Sequence, residues 1–193
     1  MSGRRALRVL ANVLAFQAGW FACVLGGAYQ RPWLGTAAAA VIVAAHLAGA
    51  GARAREATLV GLVALIGFAW DSALVAVGWF HYASGTIVDG GAPAWILALW
   101  ALFATTLNVS LRWLRGRPLL AAALGAVGGP LAFYTGARLG AVTLSDPAIA
   151  LCAQGAGWAA LLPILSILAQ RLDGIDPPLD ERQRPCLISR PTF

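Results

Sequence analysis

The sequence predicts an all-α, polytopic membrane protein folded as a single bundle of six transmembrane helices, with both termini cytoplasmic. Three observations carry that reading. Sixty per cent of the 193 residues are hydrophobic and only 11% are charged, against roughly 25% charged in an ordinary soluble domain. The apolar residues gather in six long runs separated by short breaker-rich connections. The arginines alternate between those connections, with twelve on one side and two on the other.

The first run, Leu7 to Ala28, follows Arg4, Arg5 and Arg8 and so resembles a signal peptide at its start. It continues past Trp20-Phe21-Ala22-Cys23, which lacks the leucine of a lipoprotein cleavage site, and five more runs follow. An uncleaved first helix is the expectation. The later runs are Trp33 to Ala50, Ala57 to Trp79, Pro93 to Leu114, Pro118 to Val142 and Ala148 to Gln170. About 20 apolar residues cross the roughly 30 Å hydrocarbon layer, so the second, short and Ala-rich, is the weakest of the six. The breaks between them fall at Arg31-Pro32, Gly49 to Gly51, Gly90-Gly91 with Pro93, Gly116 with Pro118, and Asp146-Pro147, all residue types that end helices or form turns. Residues 1–170 therefore form the transmembrane domain. Residues 171–193, with Pro177-Pro178, Pro185 and Pro191 among mixed charges, read as a loosely ordered cytoplasmic tail.

Orientation follows from the arginines, since basic residues in short loops stay cytoplasmic. Arg4, Arg5, Arg8, Arg53, Arg55, Arg112, Arg115, Arg117, Arg171, Arg182, Arg184 and Arg190 share one side; Arg31 and Arg138 take the other. The expected location is a bacterial inner membrane. All fourteen basic residues are arginine, a habit of GC-rich genomes, and the net charge of +6 reflects topology rather than nucleic-acid binding. Trp33, Trp79, Trp95 and Trp113 stand near span ends, where aromatic belts form.

Between membrane helices, small residues mark close packing. The fifth run repeats them at Ala121, Gly125, Gly129, Gly136 and Gly140, which predicts a central helix, kinked at Pro130 because proline removes a backbone donor. The fourth aligns Ala101, Thr105, Asn108 and Arg112, and the third Gly67, Asp71 and Gly78. Packing is the first meaning of such stripes.

Ionisable groups at membrane depth are costly, so they are the default sites of function. Asp71 lies about 21 Å along the third run at 1.5 Å per residue, and Arg138 about 6 Å from the end of the fifth. An Asp71–Arg138 pair joined by Gln154 and Gln17 is the first candidate cluster. It reads as a structural salt bridge, as a site for a polar or anionic substrate, or as a titrating Asp71 in a transporter or lipid-directed enzyme. Asn12, His46, Glu56 and Asn108, with Arg112 nearby, form a second candidate set at the cytoplasmic side. In the outer loop His81, Tyr82, Ser84, Thr86 and Asp89 supply the residue types of a hydrolytic site, although a solvated loop explains them as well.

Decisive motifs are missing from the sequence: it has no phosphate loop, dinucleotide fingerprint, HExxH, GxSxG or CxxC. Cys23, Cys152 and Cys186 are too scattered for a metal motif and odd in number. No cofactor and no metal is expected, and no nucleic-acid partner.

Several stretches resemble one family. They are Asn12, Phe16-Gln17, Gly19-Trp20-Phe21 and Cys23; His46, Glu56 and Asp71; Pro93, Trp95, Leu99-Trp100, Phe103-Ala104, Leu107, Ser110-Leu111 and Trp113; and Gly125-Ala126, Gly128 to Leu131, Tyr134, Gly136 and Leu139-Gly140. This pattern, over about residues 7 to 170, is similar to the domain of unknown function 2878 family of bacterial multi-pass membrane proteins. The resemblance implies no catalytic residues. It implies a lipid-related role by association, because family members are often encoded near enzymes that modify membrane fatty acids. The leading expectation is thus an accessory, non-enzymatic protein of lipid or envelope metabolism, with the bilayer and a lipid-modifying enzyme as partners. A small transporter using Asp71 and Arg138, and an intramembrane lipid-modifying enzyme, are the alternatives.

Overall fold

The computed structural model describes residues 3–176. Six helices dominate: α1 (Gly3–Ala28), α2 (Pro32–Ala48), α3 (Arg53–Ala76), α4 (Ala94–Leu107), α5 (Pro118–Arg138) and α6 (Pro147–Arg171). Two three-residue strands, β1 (Phe80–Tyr82) and β2 (Val142–Leu144), pair antiparallel with Phe80 opposite Leu144. The residues of 171–193 beyond Asp176 lie outside the described part of the chain.

Breakers set the helix bounds. Pro32, Pro118 and Pro147 open α2, α5 and α6 at the first turn, where a missing N–H costs nothing. Asp146 caps α6, its carboxylate accepting from the backbone N–H groups of Ala148 and Ile149. Four helices, α1, α3, α5 and α6, are long and apolar enough to cross a membrane, while α2 has 17 residues and α4 only 14. Their outward faces are apolar: Leu65, Leu119 and Val127 are among the most exposed side chains. A surface of that kind is at home in lipid.

Contacts at the two ends show that successive helices run in opposite directions. At one end Arg8 of α1, His46 near the end of α2, Glu56 near the start of α3, Asn108 after α4 and Asp173 after α6 meet in one network. At the other, Ser84 bonds the carbonyl of Gly27, Gln30 bonds that of Ala83, and the strand pair lies between α3 and α6. The described chain therefore starts and finishes at the same end of the bundle.

Three expectations need correction. The fourth run is helical only to Leu107, not to Leu114. Asn108 is drawn sideways to Glu56, and the chain passes through turns into a single 3₁₀ turn, Arg112–Leu114. The fifth ends at Arg138 rather than Val142, because Gly140 adopts φ +86° and releases Val142 into β2. α5 is also not central. Its stripe of Ala121, Gly125, Gly129 and Gly136 is buried, Gly125 and Gly129 against Trp158 of α6, while α4 is the helix that touches α1, α2 and α3. A side chain at Gly125 would collide with the Trp158 carbonyl, so the stripe marks one close helix pair. α5 continues through Pro130 as one helix.

The segment just after α6 departs from the expected loose tail as well. Asp173, Gly174 and Ile175 are buried, and Gly174 exchanges hydrogen bonds with α3: its carbonyl accepts from Ala52 and its N–H donates to Glu56.

Candidate functional site: an apolar cleft between two buried polar clusters

Asp71 is 1% exposed on α3 and Gln154 is fully buried on α6. The indole N–H of Trp100 donates to Asp71 Oδ2 at 2.7 Å, and the Gln154 amide donates to Oδ1 at 3.2 Å. The Gln154 carbonyl in turn accepts from Trp70 at 2.6 Å. In a dry interior each of these groups requires a partner, and the cluster satisfies them by stitching α3, α4 and α6 together. Glycines make the room: a Cβ at Gly67 would overlap the Trp100 ring, and one at Gly157 the Trp70 ring.

Arg138 takes no part. It is exposed in the last turn of α5 and forms no ion pair among the described residues. The expected Asp71–Arg138 pair is therefore not made: both Asp71 oxygens are taken by Trp100 of α4 and Gln154 of α6. Gln17 does not join either; it is exposed on α1 and lines a cleft instead.

The second candidate set does converge. His46 Nε2 lies 2.8 Å from Glu56 Oε1, and Glu56 Oε2 accepts from Asn108 at 2.9 Å and from the Gly174 backbone at 3.0 Å. Glu56 is completely buried. Asn108 accepts from Arg115, whose guanidinium also reaches Asp173 at 2.9 Å; Arg112 bonds both Asp173 and Asp176. Burial pushes the Asp173 carboxyl up, but the Asp176 backbone N–H, Arg115 and Arg112 outweigh it and hold the group below the ordinary carboxylate range. Asn12 is a neighbour only, donating to the Thr105 carbonyl at 3.2 Å.

Arg115, Asp173 and Asp176 were not singled out in the sequence because they sit in what reads as a topology signal and a tail. Trp100 had a legible signal: a buried indole N–H usually finds an acceptor, and Asp71 is the deepest carboxylate on offer. After α3, His81 meets Ser145 Oγ at 3.3 Å, and that hydroxyl donates to the Gly78 carbonyl at 2.7 Å. Asp89 enters neither bond, so the expected residue types do not assemble into a hydrolytic site.

Between the clusters lies a cleft of about 600 Å³, within the roughly 300–1,000 Å³ range of ligand sites. Phe16, Gln17, Trp20, Phe21 and Val24 of α1 form one wall, and α5 from Leu124 to Gly136 the other. Trp100 and Phe103 of α4 and Trp158 of α6 make the floor; the two indoles stack at 4.6 Å and Phe103 meets Trp158 edge-on at 5.1 Å. Tyr82 and Val142 close one end, and Leu111, Trp113 and Leu114 the other. The lining is almost wholly apolar. Among the described residues no cluster of His, Cys, Asp and Glu has the makings of a metal site.

A helical membrane protein with two buried polar clusters and an apolar cleft between its helices is what these features define. The family model described as "Protein of unknown function (DUF2878)" matches residues 9–164, and the chain belongs to that family. No curated protein and no solved structure matches it.

Proposed function

We propose that the protein is a six-span inner-membrane protein of bacteria, with both termini cytoplasmic, that serves lipid or envelope metabolism as a non-enzymatic accessory by holding an apolar chain in the α1–α5 cleft. Twelve arginines against two support the orientation. The turns and 3₁₀ turn after α4 supply the length that its 14 residues, about 21 Å of helix, lack.

The cleft carries the functional reading. It lies between helices whose outer faces are apolar, its floor is three packed aromatic rings, and it offers no converging titratable groups. The Asp71 and Glu56 clusters share no residue, and each spends its hydrogen bonds on joining helices. That favours a holding role over a polar conduction path or acid–base chemistry. The test is deletion of the gene followed by membrane lipid profiling, with complementation by wild type and by Gly128→Leu. Gly128 lines the cleft, and a Cβ there meets nothing within 4 Å, so a leucine at this position starts from open space and projects into the cleft. The expected result is an altered acyl-lipid profile that wild type restores and Gly128→Leu does not. An unchanged profile sinks the lipid role.

A further inference from the structure

We propose that the cleft takes an acyl chain of an anionic glycerophospholipid, whose phosphate sits on the arginine-bearing turn Arg112 to Arg117. The inference rests on the cleft reading above and names its ligand.

The turn serves both surfaces at once. Trp113 and Leu114 line the end of the cleft, while Arg112 and Arg115, their sequence neighbours, point into the charged network. Arg117 is tied to the same wall, its backbone N–H donating to the Leu114 carbonyl at 3.0 Å. Its guanidinium is exposed and enters no ion pair among the described residues. The acids nearby are already shared. Asp173 serves Arg112 and Arg115, and Asp176 serves Arg112 and Arg8. Among the described residues Arg8, Arg112 and Arg115 thus share Asp173 and Asp176 while Arg117 pairs with neither, an excess of positive charge at this turn. Arg115 Nε is buried and finds no acceptor among the described residues.

Guanidinium forks suit phosphate oxygens, and an excess of cations disfavours the ammonium of a zwitterionic headgroup. Basic pockets between membrane helices on the cytoplasmic side hold anionic headgroups in this way. A chain hanging from a phosphate at this turn passes Trp113 and Leu111 and then runs along the Phe103–Trp158 floor. The charge at the mouth and the apolar walls behind it therefore fit the two halves of one molecule.

The experiment is native mass spectrometry of the full chain, released from nanodiscs holding equal phosphatidylglycerol and phosphatidylcholine, with oleate as a further probe. Wild type is expected to retain phosphatidylglycerol preferentially, and Arg117→Gln to lower that preference about fivefold, the factor for roughly 1 kcal/mol per arginine near a membrane surface. Gly128→Leu is expected to lose bound lipid while eluting as the folded monomer. Equal retention of the two phospholipids, abolished by Gly128→Leu, overturns the headgroup assignment and leaves the cleft reading standing. Preferential retention of oleate does the same. Wild type that carries no lipid, or a dimer whose second copy covers the cleft, overturns both.

Discussion

Trp100 faces two ways: its indole N–H donates to Asp71 across 2.7 Å, and its ring forms the cleft floor, stacked 4.6 Å from Trp158. One side chain thereby couples the buried carboxylate of α3 to the surface on which a ligand would lie. The position of that surface depends on a hydrogen bond as much as on packing.

Removing either partner should loosen the α3–α4 contact. A double-mutant cycle of Asp71→Leu and Trp100→Phe, read by thermal unfolding in detergent, is expected to give a coupling near the membrane-protein average of about 0.6 kcal/mol and no more than about 1.7. Additive single effects would show that the two groups do not interact.

Gly67 packs against the Trp100 ring, with no room for a Cβ, whereas Gly61 on the same helix has nothing within 4 Å. Gly67→Ala should therefore destabilise by about 1–3 kcal/mol, the cost of overpacking, and Gly61→Ala should cost nothing. Equal melting temperatures for the two variants would contradict the close fit.

Arg138 is exposed and unpaired among the described residues. Arg138→Ala should stay within about 0.5 kcal/mol of wild type, and exchanging the charges of Asp71 and Arg138 should fail to restore an Asp71 variant. Restoration by the exchange would revive the pair that the fold leaves unmade.

The clasp after α6 should be acid-sensitive. Asp173 is held below the ordinary carboxylate range, so its contribution is fully present above the unfolded value of about 3.9 and is lost as pH falls through the lower folded value. A cysteine placed at Ile175 should resist a maleimide at pH 7. A soluble thiol reagent active in acid should reach it only once the pH drops below about 4. Equal accessibility across that range would show that Asp173 does not hold the segment.

Much of this was legible in the sequence, for identifiable reasons. Apolar length and arginine placement reflect the bilayer itself, so helix number and relative direction follow from local patterns. His46 and Glu56 came together as the second candidate set because both flank one short turn. The Asp71–Arg138 pairing failed because membrane depth fixes height along a helix but not which neighbour stands beside it. The stripe from Ala121 to Gly136 shows that a face is packed, not what it is packed against, and α6 rather than the bundle centre took it. Asn108 illustrates the end of α4: its tie to Glu56, 52 residues away, is a tertiary contact that overrides a helical run of apolar residues.

The most direct test is photolabelling of wild type and Gly128→Leu in membranes with a phospholipid carrying a diazirine in its acyl chain, with adducts mapped by mass spectrometry. Adducts should concentrate on the cleft residues of α1, α4 and α5, such as Phe21, Phe103 and Ala132, and vanish in Gly128→Leu. Adducts spread evenly over the outward residues Leu65, Leu119 and Val127, and unchanged by the substitution, would contradict the cleft reading.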